Sequence, residues 1–339
     1  MEQVYTPKQN YKVLVNCITY NQSKYIEDAL NGFAMQKTDF PFACLVMDDA
    51  STDGEQDVIK AWMERECDME RAENVEIEKS FVTIVPHKTN SSCTFAFYFL
   101  KENLYKKGGK IPMIAPWREH CEYEALCEGD DYWIYPRKLQ RQVEWLDYHN
   151  DYILVCSNAK IVSEEGELDW SRYEVDSDID ANMMITGTGG YVQTASLVYR
   201  VGVLENYPDY CKNCCVGDYP LQIWCNVNGR VRYFYEKMVV YRNKSAGSWS
   251  SNQSYLDYEQ KLCQVKSIIS MLSGINKFTH SKYRNSIDRA MIYQITTLYR
   301  YRKGWKVLAE LEREIQEMRL RNKIRLTLSI FSFFLKTTT

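Results

Sequence analysis

Over roughly its first 160 residues the chain repeats one rhythm, a short apolar run followed by apolar residues at helical spacing. The runs at 13–18, 42–47, 81–85, 123–127 and 153–157 predict buried strands. Between them, Ile26, Leu30, Phe33 and Ala34 predict a helix, with Asn21 and Ser23 as its caps. Residues 58–63, 95–105 and 139–148 predict further helices, the second stopping near Gly108 and Gly109. Such alternation is satisfied by an α/β fold, a mostly parallel sheet with helices on both faces.

In sheets of this kind, ligands sit outside the carboxyl ends of the strands. Three polar clusters fall at predicted strand ends: Thr19-Tyr20-Asn21, Asp48-Asp49 and Glu128-Gly129-Asp130-Asp131. The third has most to say. Carboxylates are almost never buried without partners, and hard divalent ions take carboxylate oxygens together with substrate phosphates. A helix-capping role competes for Ser51 and Asp53.

Bulk properties exclude other classes. The chain of 339 residues suffices for one large domain with an appendage, or for two domains. A net charge of -3 argues against nucleic acid as a partner. Of the 12 cysteines, Cys17, Cys44, Cys127 and Cys156 lie in apolar runs, which reads as buried reduced thiols in a cytoplasmic setting. Cys211, Cys214 and Cys215 contain one CxxC spacing without a second pair, so no zinc site is expected. The polar residues 1–11 do not read as a signal peptide. No apolar run reaches the ~20 residues that span a bilayer.

From 187 to 249 strands and short helices are expected, including a half-buried strand at 193–199 that carries Thr194 and Ser196. After about 254 the pattern is helical. The expected domains are therefore 1–253, with a nucleotide-sugar half at about 10–150 and an acceptor half at 151–253, and a helical region at 254–339.

These motifs together resemble the family 2 glycosyltransferases of the GT-A fold, in particular bacterial enzymes of surface-polysaccharide assembly. The resemblance rests on residues 13–26 with Thr19-Tyr20-Asn21, on 48–54, on 127–133, on Pro136, Lys138, Leu139 and Gln140, and on 217–221. It implies an inverting transferase that moves a sugar from a nucleotide-diphosphate donor, UDP favoured, to a hydroxyl of a glycan or lipid-linked acceptor. Thr19, Tyr20 and Asn21 would line the nucleoside pocket, and Asp49 would accept from the base. Glu128 and Asp130 would lie along the donor. Asp131, with Asp130, would hold Mg2+ or Mn2+ on the diphosphate, and Asp218 would be the catalytic base. The family often places a metal-reaching His two residues after a Tyr-Arg pair. Here Tyr241-Arg242 is followed at that place by Lys244, a poor metal ligand while protonated but a point charge for phosphate. Arg242 would sit by the pyrophosphate or in an ion pair. Trp249, on a Gly-flanked loop, would close over the donor or anchor the loop.

Arg319, Arg321, Lys323 and Arg325 precede a Leu/Phe-rich stretch at 326–336. Basic residues beside such a stretch suit peripheral attachment to an anionic membrane face, and equally a helix packed on the protein or on a second subunit of an oligomer. Two other functions compete: a GT-A homologue that binds nucleotide or glycan without turnover, which Lys244 keeps open, and a nucleotidyltransferase. The second would carry a Gly-rich basic loop where Thr19-Tyr20-Asn21-Gln22 stands.

Overall fold

The structure is a computed structural model. It describes residues 4–105, 107, 109–163, 166–168, 171–243, 245, 253–301 and 306–337. Two compact units emerge, interleaved along the chain. The first comprises 1–178, 192–205 and 229–252; the second comprises 179–191, 206–228 and 253–339.

Among the described residues, the first unit is built on a 12-stranded sheet. In chain order its elements are β1 (Tyr11–Thr19), α1 (Ile26–Ala34), β2 (Phe42–Asp48), α2 (Glu55–Glu66), β3 (Glu73–Ile77), β4 (Ser80–Pro86), β5 (Cys93–Leu100), α3 (Lys110–Glu119), β6 (Cys121–Leu126), β7 (Tyr132–Trp133), α4 (Lys138–Tyr148), β8 (Tyr152–Ser163), β9 (Gly166–Leu168), β10 (Ser177–Asp178), β11 (Val198–Arg200) and β12 (Arg230–Arg242). The strand order is β10-β12-β8-β11-β6-β1-β2-β5-β4-β3, with β7 on β12 and β9 on β8. The central run β6-β1-β2-β5 is parallel, and β8 runs parallel to β12. Between them β11 is antiparallel to both neighbours. The α/β class with a largely parallel central sheet is as expected.

Both faces of this sheet are covered. Val13, Val15 and Cys17 point to one side, where Ile26, Leu30 and Phe33 of α1, Trp62 of α2 and Leu139 and Val143 of α4 close a core. Leu14, Leu45 and Met47 point to the other, against Met113, Ile114 and Trp117 of α3. Double coverage explains the main error of the sequence reading. Residues 95–105, expected as a helix, begin inside strand β5. There Cys93, Phe95, Phe97 and Phe99 face the first core, and Ala96, Tyr98 and Leu100 the second. A strand buried on both faces reads as one continuous apolar run, and periodicity cannot tell it from a buried helix.

Two smaller expectations also change. Neither Asn21 nor Ser23 caps α1; Tyr25 occupies that position with no side-chain cap. Residues 193–199 are not one strand: a 3-10 turn at Thr194–Ser196 precedes the short β11. Its carbonyls are used from behind, Ala195 O by the Trp133 indole at 2.9 Å and Ser196 O by Gln142 Nε2 at 2.9 Å.

The second unit is helical: α5 (Ala181–Thr186), α6 (Asp209–Lys212), α7 (Asp218–Asn228), α8 (Tyr258–Phe278), α9 (Arg284–Tyr301), α10 (Lys306–Glu310), α11 (Glu312–Glu317) and α12 (Leu320–Thr337). α8 starts on a capping box of Asp257 and Gln260. α9 packs against α5, α8 and α12. Two of the segments forming this unit, 179–191 and 206–228, fall within the stretch expected as acceptor half.

One charge inside the sheet unit is poorly compensated. Lys138 opens α4 with no exposed surface. Among the described residues its Nζ finds no hydrogen-bond partner, and it lies 4.2 Å from the centre of the Trp133 ring. Burial lowers its pKa from 10.5 to about 7. The unfolded chain therefore binds the extra proton between about pH 7 and 10.5. Stability is penalised in full below that window and recovers as pH rises through it. Wild-type stability in urea should climb from pH 7 to pH 10, at most ~1.4 kcal/mol per pH unit. Lys138→Met should be the more stable protein at pH 7, by about 1–4 kcal/mol, and should show no climb. Parallel pH profiles for the two proteins would exclude a charge penalty at this position.

Candidate functional site

The parallel register sets the site. Thr19, last in β1, is level with Asp48, last in β2. On the other side Asn16 pairs with Leu126 near the end of β6, and Cys127 N donates to Asn16 O at 3.2 Å. The polar segments that follow these three strands thus leave the sheet along one edge, the edge where α/β proteins bind ligands.

The segments are held by a carboxylate that the sequence reading passed over. Glu55, first residue of α2, is fully buried. One of its oxygens takes the Thr19 hydroxyl; the other takes Gln22 N at 2.9 Å and Ser51 Oγ at 2.8 Å. Burial raises its pKa above 4.5, against the pull of those hydrogen bonds. Asn21 accepts from Thr52 N at 2.8 Å, and Asp53 from Ser23 N at 2.9 Å, so the loops after β1 and β2 are stitched together. Asn21 and Ala50 both hold left-handed backbone, at φ 55° and 59°. For alanine this costs about 1–2 kcal/mol, and such strain gathers at ligand sites. Of the predicted nucleoside-pocket residues, Thr19 is therefore buried in the support, while Tyr20 is 40% exposed.

Asp49 is also committed. It is buried, accepts Leu104 N at 2.7 Å and pairs with Lys110. Its carbonyl takes Asn103 Nδ2 at 3.1 Å. In this structure it anchors the connection between β5 and α3.

The acidic loop after β6 rests on this platform. A Cβ at Gly129 would lie 2.2 Å from Thr19 Oγ1 and 2.5 Å from Gln22 Oε1, so only glycine allows the approach. Asp130 and Asp131 are buried at 8% and 2% exposure, while Glu128 is exposed. Asp131 accepts Arg242 N at 2.8 Å, and Asp130 accepts the Ser245 hydroxyl. The Arg242 guanidinium donates to Asp130 O at 2.8 Å and pairs with Asp28 of α1. It also lies 4.4 Å from the Tyr132 ring centre and 5.0 Å from that of Tyr25. Of the two roles expected for Arg242, the ion pair is the one seen, and it ties β12 to the loop and to α1. Asp28, Tyr25 and Ser245 carried no signal in the sequence, because these contacts join residues more than a hundred positions apart.

Burial, then the charges of Asp130 and Glu128, hold the Asp131 carboxyl well above the usual carboxylate range. A bound cation relieves that kind of crowding. Among the described residues no three His, Cys, Asp or Glu side chains form a complete metal cage. Two carboxylates that leave the remaining positions to phosphate and water fit Mg2+ or Mn2+ chemistry, since Mg2+ is commonly held in that way. Cys17, Cys44, Cys127 and Cys156 are free and buried.

Asp218 belongs to the second unit. It is the first residue of α7, half-buried, and accepts from Tyr219 N at 2.8 Å. This contact to the next N–H holds the carboxylate at the start of α7. Lys244 and Trp249 lie outside the described residues.

Comparison with known proteins agrees with this fold. Residues 15–90 match the family model described as Glycosyl transferase family 2. Two structures of S. aureus TarS 1–349 are similar in fold. The complex with UDP-GlcNAc has a TM-score of 0.62 at 16% identity, over 92% of this chain and 82% of that one. The complex with UDP gives 0.58 at 16% identity, over 94% and 86%. The uncharacterized proteins Rv1520 of Mycobacterium tuberculosis and Mb1547 of Mycobacterium bovis are 32% identical over 241 residues, 69% of this chain. The chain spans 59% of the length of these curated relatives. The resemblance to family 2 glycosyltransferases is thus borne out: residues 15–90 carry the family's segment, and the fold is GT-A.

Gly129→Ala should cost about 1–3 kcal/mol of stability by overpacking against Thr19 and Gln22. Gly202→Ala, where the nearest atom is Glu205 Oε1 at 3.8 Å, serves as the control. Urea denaturation of both variants checks this. Equal, near-zero costs would mean that the acidic loop does not rest on the end of β1.

Proposed function

We propose that this chain is an inverting glycosyltransferase that takes a sugar from a nucleotide-diphosphate donor, UDP favoured, and passes it to a hydroxyl of a glycan or lipid-linked acceptor in polysaccharide assembly. The observation that carries the reading is the pair of buried carboxylates, Asp130 and Asp131, on a glycine-dependent loop at the ligand edge of a GT-A sheet. The similar TarS structures hold UDP-GlcNAc and UDP, which favours uridine in the donor.

In this reading Tyr20 and Asn21 border the nucleoside, with Thr19 and Glu55 holding the loop behind them. Asp49 fixes the wall that Asn103, Leu104 and Lys110 form. Asp130 and Asp131 hold Mg2+ or Mn2+, with Glu128 at the mouth of the loop. A divalent ion held there would supply Lewis-acid stabilisation of the departing diphosphate. Arg242 keeps the two carboxylates in place, and Lys244 adds positive charge for phosphate where the family often has histidine. Asp218 removes the acceptor hydroxyl proton as that oxygen attacks the anomeric carbon, a role typically worth 10²–10⁴-fold. One displacement with one base inverts the anomeric centre.

The test is release of nucleoside diphosphate from a panel of nucleotide sugars, with Mn2+ or with EDTA. Wild type should turn over one donor, and EDTA should abolish it. Asp131→Ala should lose metal-dependent nucleotide affinity in calorimetry, and Asp218→Asn should keep that affinity while losing transfer by at least ~10²-fold. Nucleotide binding without turnover of any donor would instead favour a binding homologue, the outcome that Lys244 makes worth testing.

The same reading places the protein on the cytoplasmic face of a membrane, held peripherally through 319–336. α12 buries Asn322, Leu326 and Ile330, and Asn322 Nδ2 reaches Asp288 of α9 at 2.8 Å. Its opposite face leaves Leu320, Ile324 and Leu328 at 75%, 53% and 61% exposure, beside exposed Arg321 and half-buried Lys323 and Arg325. An apolar stripe rimmed by cations suits anionic lipid. Among the described residues no helix is long and apolar enough to cross a membrane. Leu320→Ser/Ile324→Ser/Leu328→Ser should abolish co-sedimentation with phosphatidylglycerol vesicles and leave the melting temperature nearly unchanged. Retention of the triple variant on those vesicles would move attachment elsewhere.

A further inference from the structure

Within the second unit, an open cleft of about 800 Å³ lies between the C-terminal end of α7 and one face of α8. Ser270, Ser273, Gly274, Lys277 and Phe278 contribute to it from α8, at the spacing that shares one helix face. This is the more exposed face of α8, with Ser270, Lys277 and Phe278 exposed, while the helix packs through Leu262, Val265, Ile269 and Leu272.

Trp224, only 3% exposed, forms the floor, and the Phe278 ring lies against it with centroids 4.7 Å apart, tilted by 44°. Phe278 is 45% exposed. Tyr210 forms another wall through an unusual accommodation. A Cβ at Gly274 would come within 2.4 Å of the Tyr210 ring. A glycine inside a 21-residue helix costs about 1 kcal/mol relative to alanine, and here it lets the tyrosine ring sit on the helix backbone. Asn228 closes the far end, with its amide donating to Trp224 O at 2.9 Å.

Rings interleaved with hydroxyl, amide and ammonium groups match the two surfaces of a pyranose: C–H faces that pack on aromatic planes, and hydroxyls around the rim that need hydrogen bonds. α7 runs from Asp218 to Asn228, so at 1.5 Å per residue the cleft lies about 15 Å along the helix from the proposed base. A single sugar at Asp218 does not cover that distance, whereas an oligosaccharide does.

We propose that this cleft binds a stretch of the acceptor glycan away from the transfer point, with pyranose faces on Phe278 and Tyr210 and hydroxyls on Ser273, Asn228 and Lys277. The inference rests on the glycosyltransferase reading, and it makes the acceptor a chain of several sugars.

The test uses the full chain on immobilised oligosaccharides of graded length, built from neutral hexoses, N-acetylhexosamines and uronic acids. Wild type should bind at least one series, with affinity rising with length. Phe278→Ala should weaken that binding on the order of tenfold by loss of ring contact. Ser273→Trp should block it by filling the cleft. Both variants should keep wild-type affinity for uridine diphosphate in calorimetry, which reports on the donor reading alone. Failure of wild type to bind any series, or unchanged glycan binding by Ser273→Trp, overturns the proposal whatever the nucleotide result. Loss of uridine diphosphate binding with glycan binding intact counts against the donor reading and leaves the cleft assigned.

Discussion

Everything at the ligand edge of this sheet depends on one close approach, the contact of Gly129 with Thr19 and Gln22. It lets the acidic loop lie against the end of β1. That end is in turn fixed by Glu55, whose oxygens serve Thr19, Gln22 and Ser51 together. Arg242 closes the arrangement from the other side through its own N–H and its guanidinium. A buried carboxylate without partners would neutralise or drive the loop outward. Asp131 keeps its place because a backbone N–H and a nearby guanidinium offset part of the cost. The remainder shows in its raised pKa, a cost that the cation of the proposed reading would offset.

Much of the site was legible in the sequence because strand ends and acidic clusters are local features. β1, β2 and β6 lie where the pattern put them, and the acidic loop follows β6 as expected. What was not legible came from long-range pairing. Nothing local marks Glu55 as buried, since a glutamate in a helix's first turn is ordinarily an exposed partner of the dipole. Nothing around Asp49 forecast Leu104 N and Lys110 as its partners, because residues 95–105 read as helix. Once that stretch is recognised as β5, the chain leaves the sheet beside Asp49, and the contact follows. The long β12 was missed for a related reason: its bulged pairing with β8 breaks the alternation that would have revealed it.

The interleaving of the units has a chemical consequence. Asp130 and Asp131 are positioned by the sheet, whereas Asp218 is positioned by a helix whose residues from Tyr219 to Asn226 are buried. Tyr219 further ties that helix to Ile185 O at 2.6 Å, within the same unit. Core substitutions in the helical unit therefore act on the proposed base and on the Trp224 cleft together, and leave the carboxylate loop to the sheet. If α7 carries both the base and the wall of a glycan cleft, one rigid element sets the distance between the reacting hydroxyl and the sugars behind it. Acceptor length would then be read by the helix itself, and donor choice by the edge of the sheet, with separate sets of residues free to change for each.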